Sequence, residues 1–166
     1  QSMLINTILI SSAFYLFFIT MRDFFVKKYK NISQNIAHFG FSLLILSILF
    51  NNLFSSEVIT NLKVGETFEN SETKIVFESI DQKKEQNYNS IIANFSILNS
   101  SGEADRLSPE LRIYNQPVIA TSEADIKTNL MSDKFIVINL VQNQDFFNVR
   151  YQIKPFMLWI WLSVIL

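Results

Sequence analysis

The chain has no cysteine among its 166 residues. That excludes a disulfide scaffold, a thiolate metal centre and a Cys-x-x-Cys-His haem attachment within it. The absence of thiols is compatible with either side of a membrane. Glycine is nearly as scarce. Gly40, Gly65 and Gly102 stand far apart, so no phosphate-cradling loop or dinucleotide fingerprint can be assembled from them. The formal net charge is −1, which implies no general attraction to nucleic acid or to anionic lipid, and no nucleic-acid partner is expected. Histidine occurs once, at His38, inside an apolar run. The polar part of the chain therefore cannot build a Ser-His-Asp hydrolase site.

What is abundant is apolar: 49% of residues are hydrophobic and 16 are phenylalanine, the composition of a protein partly in a membrane and partly in water. The chain starts at Gln1 and ends within an apolar run, and is expected to be a fragment of a longer protein. Met3 to Met21 carries no charge and is long enough for a spanning helix, which needs about 20 residues, so residues 1–21 are assigned to a transmembrane helix. Its Asn6, Thr7, Ser11 and Ser12 could pack against other helices. A second such helix is assigned to residues 36–54, with Asn31 and Gln34 at the spacing of an N-cap and its reciprocal partner. Ala37, Gly40, Leu44 and Ser47 form a mostly small stripe on it. Between the two, residues 22–35 hold Arg22, Lys27, Lys28 and Lys30 against Asp23, whereas acidic residues outnumber basic ones over 55–155. This asymmetry predicts a cytoplasmic loop (or its organellar equivalent) at 22–35 and an outer domain at 55–155. Residues 156–166, with Trp159 and Trp161 near their head, read as the start of a third spanning helix cut short after about 16 Å.

The long polar segment lacks helical periodicity. Short β-branched and aromatic runs begin at Thr73, Tyr88, Leu111, Phe135 and Phe146, separated by Asn, Ser, Asp and Gly clusters. The predicted fold class is an α-helical membrane protein with an inserted all-β outer domain, a barrel or a sandwich. Glu66, Glu69, Glu72 and Glu78 read as a solvated face, because an acid–base pair needs positioned burial.

His38 is the candidate functional residue. An ionisable side chain inside a membrane segment is costly to keep and is a functional-site hypothesis by default. A neutral imidazole ligates iron, haem iron included, and can carry protons. A histidine close to a helix end can equally reach lipid head groups or bond a neighbouring helix, and position alone leaves these readings open. A helix starting near Asn31 would place His38 roughly 10 Å further along. Ser42, one turn on, shares a face with it.

Three stretches carry a family resemblance. Ile36-Ala-His-Phe-Gly40 resembles an Ala-His-x-Gly at the start of a helix that precedes a large outer domain. Ser108-Pro-Glu-Leu-Arg-Ile-Tyr114 followed by Thr121-Ser-Glu-Ala-Asp-Ile126 is similar to Pro-Glu-x-Arg-x-Tyr and Thr-Glu-Ala-x-Ile. Lys154-Pro-Phe-Met-Leu-Trp-Ile-Trp161 resembles the entry into a last helix. In this order and spacing they resemble the C-terminal part of the CcmF family, the cytochrome c-type biogenesis proteins of the haem lyase complex in cytochrome c maturation System I. Leu111 departs from the pattern where a basic residue is usual, and Ser163 where a glycine is expected.

The resemblance implies an integral protein of a bacterial or mitochondrial inner membrane that joins haem to apocytochrome c on its outer side. It implies partnership with haem, apocytochrome c, a haem chaperone and other cytochrome c maturation subunits, with quinol as a candidate electron source. By motif match His38 corresponds to one of two axial ligands of the iron of a membrane haem b used for haem reduction, the second histidine lying outside this chain. Ser42 becomes a candidate hydrogen-bond neighbour of the ligating imidazole. The chain alone is expected to be non-catalytic. Two other classes remain: a membrane-anchored β scaffold that docks partner subunits or apocytochrome, and a proton- or quinone-handling membrane subunit.

Overall fold

The structure, a computed structural model, describes residues 2–26, 32–71, 73–99, 102, 104–141 and 144–166. The expectations placed on Lys27, Lys28, Lys30, Asn31 and Glu72 lie outside the described residues. Contacts divide the chain into two units. One comprises residues 1–55, 128–133 and 154–166, the other residues 56–127 and 134–153.

The first unit is helical. Helix α1 (Ser2–Val26) contains no glycine or proline, and α2 (Ile32–Phe54) only Gly40; a short α3 (Met157–Ile165) follows the polar segment. Both long helices are long and apolar enough to cross a bilayer. They extend beyond the apolar runs that predicted them, α1 past Met21 through Arg22 to Val26 and α2 back to Ile32. The physical reason is simple: a charge ends an apolar run without ending a helix, and Arg22 bonds the adjacent Asp23 at 3.2 Å.

Aromatic rings join α1 to α2. Phe14 meets Phe50 edge-on at 5.6 Å, and Phe39 lies against Phe17 and Phe24 at 5.6 and 6.0 Å. The other neighbour of α2 is α3. A Cβ on Gly40 would sit 2.9 Å from the Cβ of Leu166 and 3.0 Å from the carbonyl oxygen of Ser163, so only glycine permits this approach. Of the expected small stripe, Gly40 and Ser47 are buried, Leu44 half-buried and Ala37 exposed. Phe156, just before α3, is left-handed (φ 61°). Its N–H bonds the Met131 carbonyl at 2.8 Å, and its ring packs on Phe50 at 5.1 Å. These contacts hold a conformation that costs a non-glycine residue about 1 kcal/mol or more.

The second unit is a β-sandwich built from β1 (Ser56–Leu62), β2 (Thr67–Glu69), β3 (Thr73–Lys84), β4 (Tyr88–Asn99), β5 (Ala104–Leu107), β6 (Glu110–Tyr114), β7 (Ala120–Glu123), β8 (Asp125–Thr128), β9 (Ser132–Leu140) and β10 (Phe147–Pro155). One sheet has the order β1-β10-β9-β8, the other β2-β3-β4-β6-β7 with β5 on β4. The five strands read from sequence correspond to β3, β4, β6, β9 and β10. The remaining five escape such a reading. Four are three or four residues long, and β1 follows the apolar α2 directly.

Alternation puts Ile75 and Phe77 of β3, Ala93, Phe95 and Ile97 of β4, Ile136 and Ile138 of β9, and Val149 and Tyr151 of β10 into one core. Phe77 stacks on Phe95 with centroids 4.5 Å apart. Burying each large apolar side chain contributes about 1.5–3 kcal/mol before conformational entropy is subtracted. The pairing of β3 with β4 shifts after Phe77↔Phe95, so that Ser79 faces Asn94 and Glu78 is the extra residue of a bulge. Beyond it β3 turns almost wholly to solvent.

Candidate functional site

Helix α2 presents three differently used faces, and their assignment follows from the 100° step between residues. Phe39 and Ser42 face α1. Gly40 faces α3, and Asn51 shares its side, its side-chain amide donating to the Pro155 carbonyl just before α3 at 2.6 Å, while Phe50 touches both Phe14 of α1 and Phe156. His38 lies on the face that neither helix covers, with Phe41 and Ile48, 60% and 49% exposed, on the same outward side. His38 is itself exposed, and among the described residues no side chain hydrogen-bonds its ring.

The expected contact between Ser42 and His38 is not made. Ser42 is fully buried, donates to the Phe39 carbonyl at 2.8 Å and shares a 2.8 Å hydrogen bond with the hydroxyl of Thr20 on α1. It serves the helix contact because Thr20 supplies a second hydroxyl where α1 and α2 touch. No sequence spacing could have shown this pairing.

The donor set fits one axial position of a haem iron. An exposed imidazole on an apolar helix face is accessible and free of competing bonds. The chain contains one histidine and no cysteine, so a second imidazole or a thiolate ligand would have to come from outside it. Among the described residues no group of three or more His, Cys, Asp or Glu could hold a metal ion. On the sandwich, a cleft of about 510 Å³ between β3, β4 and β6 is lined by Gln82, Lys83, Asn89, Ser90 and Ile113, none of them a strong iron ligand.

The sandwich has its own ionisable cluster, which the sequence reading missed. Asp105 on β5 is buried, and its two oxygens accept from Lys127 and, at 2.7 Å, from the nearly buried Lys134. Burial pushes the carboxyl upward, but the two lysines outweigh it and hold Asp105 below the ordinary carboxylate value. Tyr151 is pushed up to about 12 by burial and then by the Asp105 charge. The signal was present in Ala104-Asp-Arg-Leu107: Asp105 has the parity of the inward Leu107. The cluster ties β5, β8 and β9 together, with Asp105 wholly buried and Lys127 reaching it from the surface, which reads as a structural role.

The motif residues of the polar segment also prove to be neighbours. Strand β6 pairs with β7 so that Glu110 faces Glu123 and Arg112 faces Thr121. Arg112 donates to Glu110 at 2.8 Å, stands 4.0 Å from Glu123, and lies over the Tyr88 ring at 5.2 Å. Its hydrogen bond is the largest cause holding the Glu110 carboxyl below its ordinary value. The backbone N–H of Ser108 donates to Asp125 at 2.6 Å. Leu111 is buried in the core, which a basic residue could not enter unpaired. Ser163, where glycine was expected, is buried on α3 with its carbonyl against Gly40.

With this geometry in hand, the likeness to known proteins is specific. A family profile described as the CcmF C-terminal beta-sandwich matches residues 53–155. A cytochrome c-type biogenesis protein of Rhodobacter capsulatus is 28% identical over 130 residues, covering 78% of this chain and 20% of that protein. The cytochrome c-type biogenesis protein CcmF of Pseudomonas aeruginosa is 24% identical over 133 residues, covering 80% and 20%. A solved structure titled Cytochrome c Heme Lyase CcmF superposes with a TM-score of 0.61 at 18% identity, over 80% of this chain and 22% of that one. That likeness carries the fold. The chain spans about one-fifth of the length of the curated relatives it matches.

Proposed function

The chain belongs to the family of the CcmF C-terminal beta-sandwich, and from that premise we propose that it is part of a cytochrome c haem lyase in which His38 is one axial ligand of a membrane haem b. The observation that carries the residue assignment is the outward position of His38 on α2, on a face left open by both α1 and α3. A partner helix carrying the second imidazole would approach that face. Bound there, the haem would supply one-electron transfer that reduces the iron of the haem being attached to apocytochrome c. The chain's own residues do the rest. His38 offers a nitrogen lone pair, Phe41 and Ile48 exclude water beside it, and the aromatic and hydroxyl contacts of α2 with α1 hold the helix in register.

Haem, apocytochrome c, a haem chaperone and the other maturation subunits are the partners of this reading, with quinol as electron source. The basic loop at 22–35 lies on the cytoplasmic or matrix side in it, and residues 55–155 on the outer side. Cysteines placed at Lys28 and Lys83 should react with an impermeant reagent from opposite sides of the membrane. Labelling of both from one side would overturn the orientation.

The experiment for the site uses the full-length protein. His38→Ala should remove most of the membrane haem and lower cytochrome c maturation, and added imidazole should partly restore the haem spectrum. Unchanged haem content, reduced spectrum and maturation would make His38 a packing residue and favour the scaffold reading. Wild-type haem with lost quinol-dependent reduction would favour a proton relay instead.

A further inference from the structure

The turn between β8 and β9, Asn129-Leu130-Met131, is closed by a hydrogen bond from the Asn129 N–H to the Ser132 carbonyl at 2.9 Å. Hairpin tips in water usually take Gly, Asn, Asp or Ser, which tolerate the turn's backbone angles or hydrogen-bond to its backbone. This tip carries Leu130 and Met131 instead, each 60% exposed. Its carbonyls are nonetheless taken up by protein. The Trp159 indole donates to Leu130 at 2.9 Å and the Phe156 N–H donates to Met131 at 2.8 Å. Both donors lie at the head of α3, at the level where Asn51 near the end of α2 binds the Pro155 carbonyl. Carbonyls satisfied from within, with large apolar side chains turned outward, lower the cost of bringing a segment into the head-group region of a bilayer. Tryptophan at the head of an apolar helix marks the membrane–water boundary. Trp161, 62% exposed, is a second indole near the head of the same helix.

We propose that the Leu130–Met131 tip inserts into the bilayer leaflet at which α2 ends and α3 begins, its side chains among the acyl chains just below the head groups. The occupant of this surface is phospholipid. The assignment rests on the membrane fold and not on the role of His38, so the two can fail separately.

The test is site-directed spin labelling of the full-length protein in phospholipid nanodiscs, with one introduced cysteine at position 130, 131 or 83 and other cysteines replaced. At 130 and 131 the accessibility to oxygen relative to a water-soluble nickel chelate should be several-fold higher than at Lys83. A fluorophore at 131 should be quenched by nitroxide placed high on the acyl chain. Nickel accessibility at 131 equal to that at 83 would overturn the proposal in favour of an aqueous tip. Low accessibility to both reagents would overturn it in favour of burial against another part of the protein. Should a single label disturb the turn, Leu130→Ser/Met131→Ser supplies a second reading. It should keep the wild-type circular dichroism while tryptophan quenching by the same nitroxide lipid falls at least about twofold; unchanged quenching would also overturn the proposal.

Discussion

The sandwich and the helices are both rich in phenylalanine and isoleucine, and they dispose of them in opposite ways. In the sandwich Ile75, Phe77, Ala93, Ile97, Ile136 and Ile138 are wholly buried, and the strands alternate outward to polar side chains. In the helices Tyr15, Phe18 and Phe41 are 60–70% exposed, and the contacts between helices are made by small or aromatic residues. The first region completes its own core in water. The second leaves large apolar side chains outward, the pattern of helices that meet lipid or other helices. Polar groups follow the same divide. A charge can be buried in the sandwich because two lysines meet it, whereas the helix contacts use hydroxyls such as Thr20, Ser42 and Ser163, which bond the preceding turn or one another.

The largest test of this contrast is separation. Residues 55–155 expressed alone should give a soluble, β-rich unit without stoichiometric haem, while residues 1–54 should require detergent to stay dispersed. Circular dichroism dominated by helix in the first, or haem retained by it, would break the comparison at its root.

Next in size is the buried ion cluster. Asp105→Ala leaves Lys134 charged and nearly buried without its carboxylate, and should destabilise the sandwich by about 3–5 kcal/mol in urea unfolding. Asp105→Leu combined with Lys134→Met should recover much of that loss, since it removes the unpaired charge as well. The same cluster sets the pH range. A carboxyl held low contributes stability that is fully present above its unfolded value of about 3.9 and lost as pH falls through the folded one. Tyr151 acts on the alkaline side. Raised to about 12, it favours the fold below the unfolded value near 10, and that contribution disappears as pH climbs from about 10 to 12. An acid midpoint that Asp105→Asn leaves unmoved would remove the carboxylate from this account.

A smaller effect belongs to the helices. Gly40→Val would press a branched side chain onto the Ser163 carbonyl and Leu166, and should cost about 1–3 kcal/mol of helix association, measured by steric-trap or detergent unfolding of the full-length protein. Gly65, whose absent Cβ meets nothing within 4 Å, makes the contrasting case, since substitution there meets backbone strain (φ +85°) and no neighbour.

The sequence exposed much of this arrangement and hid a definite remainder. The β-branched and aromatic runs Thr73–Ser79 and Phe135–Val141 were visible because they are long enough to stand out between polar clusters. Strands β5, β7 and β8 were not, because four residues cannot display a period, and they exist through pairing with longer neighbours. The candidate ligand was legible by uniqueness, one imidazole in an uncharged run. Its surroundings were not. Whether position 38 points to α1, to α3 or outward depends on which faces of α2 those helices occupy, and α3 is more than a hundred residues away along the chain.

Ser42 gives the finest comparison, because two roles were open to it and the structure shows one. If its hydroxyl works in the α1–α2 contact, Ser42→Ala and Thr20→Ala should each weaken helix association slightly. The double variant should then lose less than the sum, with a coupling of about 0.6 kcal/mol, the scale found for hydrogen bonds between membrane helices. Each hydroxyl has a single proton, and a backbone carbonyl lies within reach of both, Leu16 or Phe17 for Thr20 and Phe39 for Ser42, so each keeps a partner when the other is removed and the coupling stays small. Valine is the sharper replacement at Thr20, as it keeps the shape and deletes only the hydroxyl. In the full-length protein neither substitution should move the haem spectrum by the margin expected of His38→Ala. A spectral shift confined to Ser42→Ala, with no coupling to Thr20, would instead place the hydroxyl beside the imidazole and make the two faces of α2 a single site.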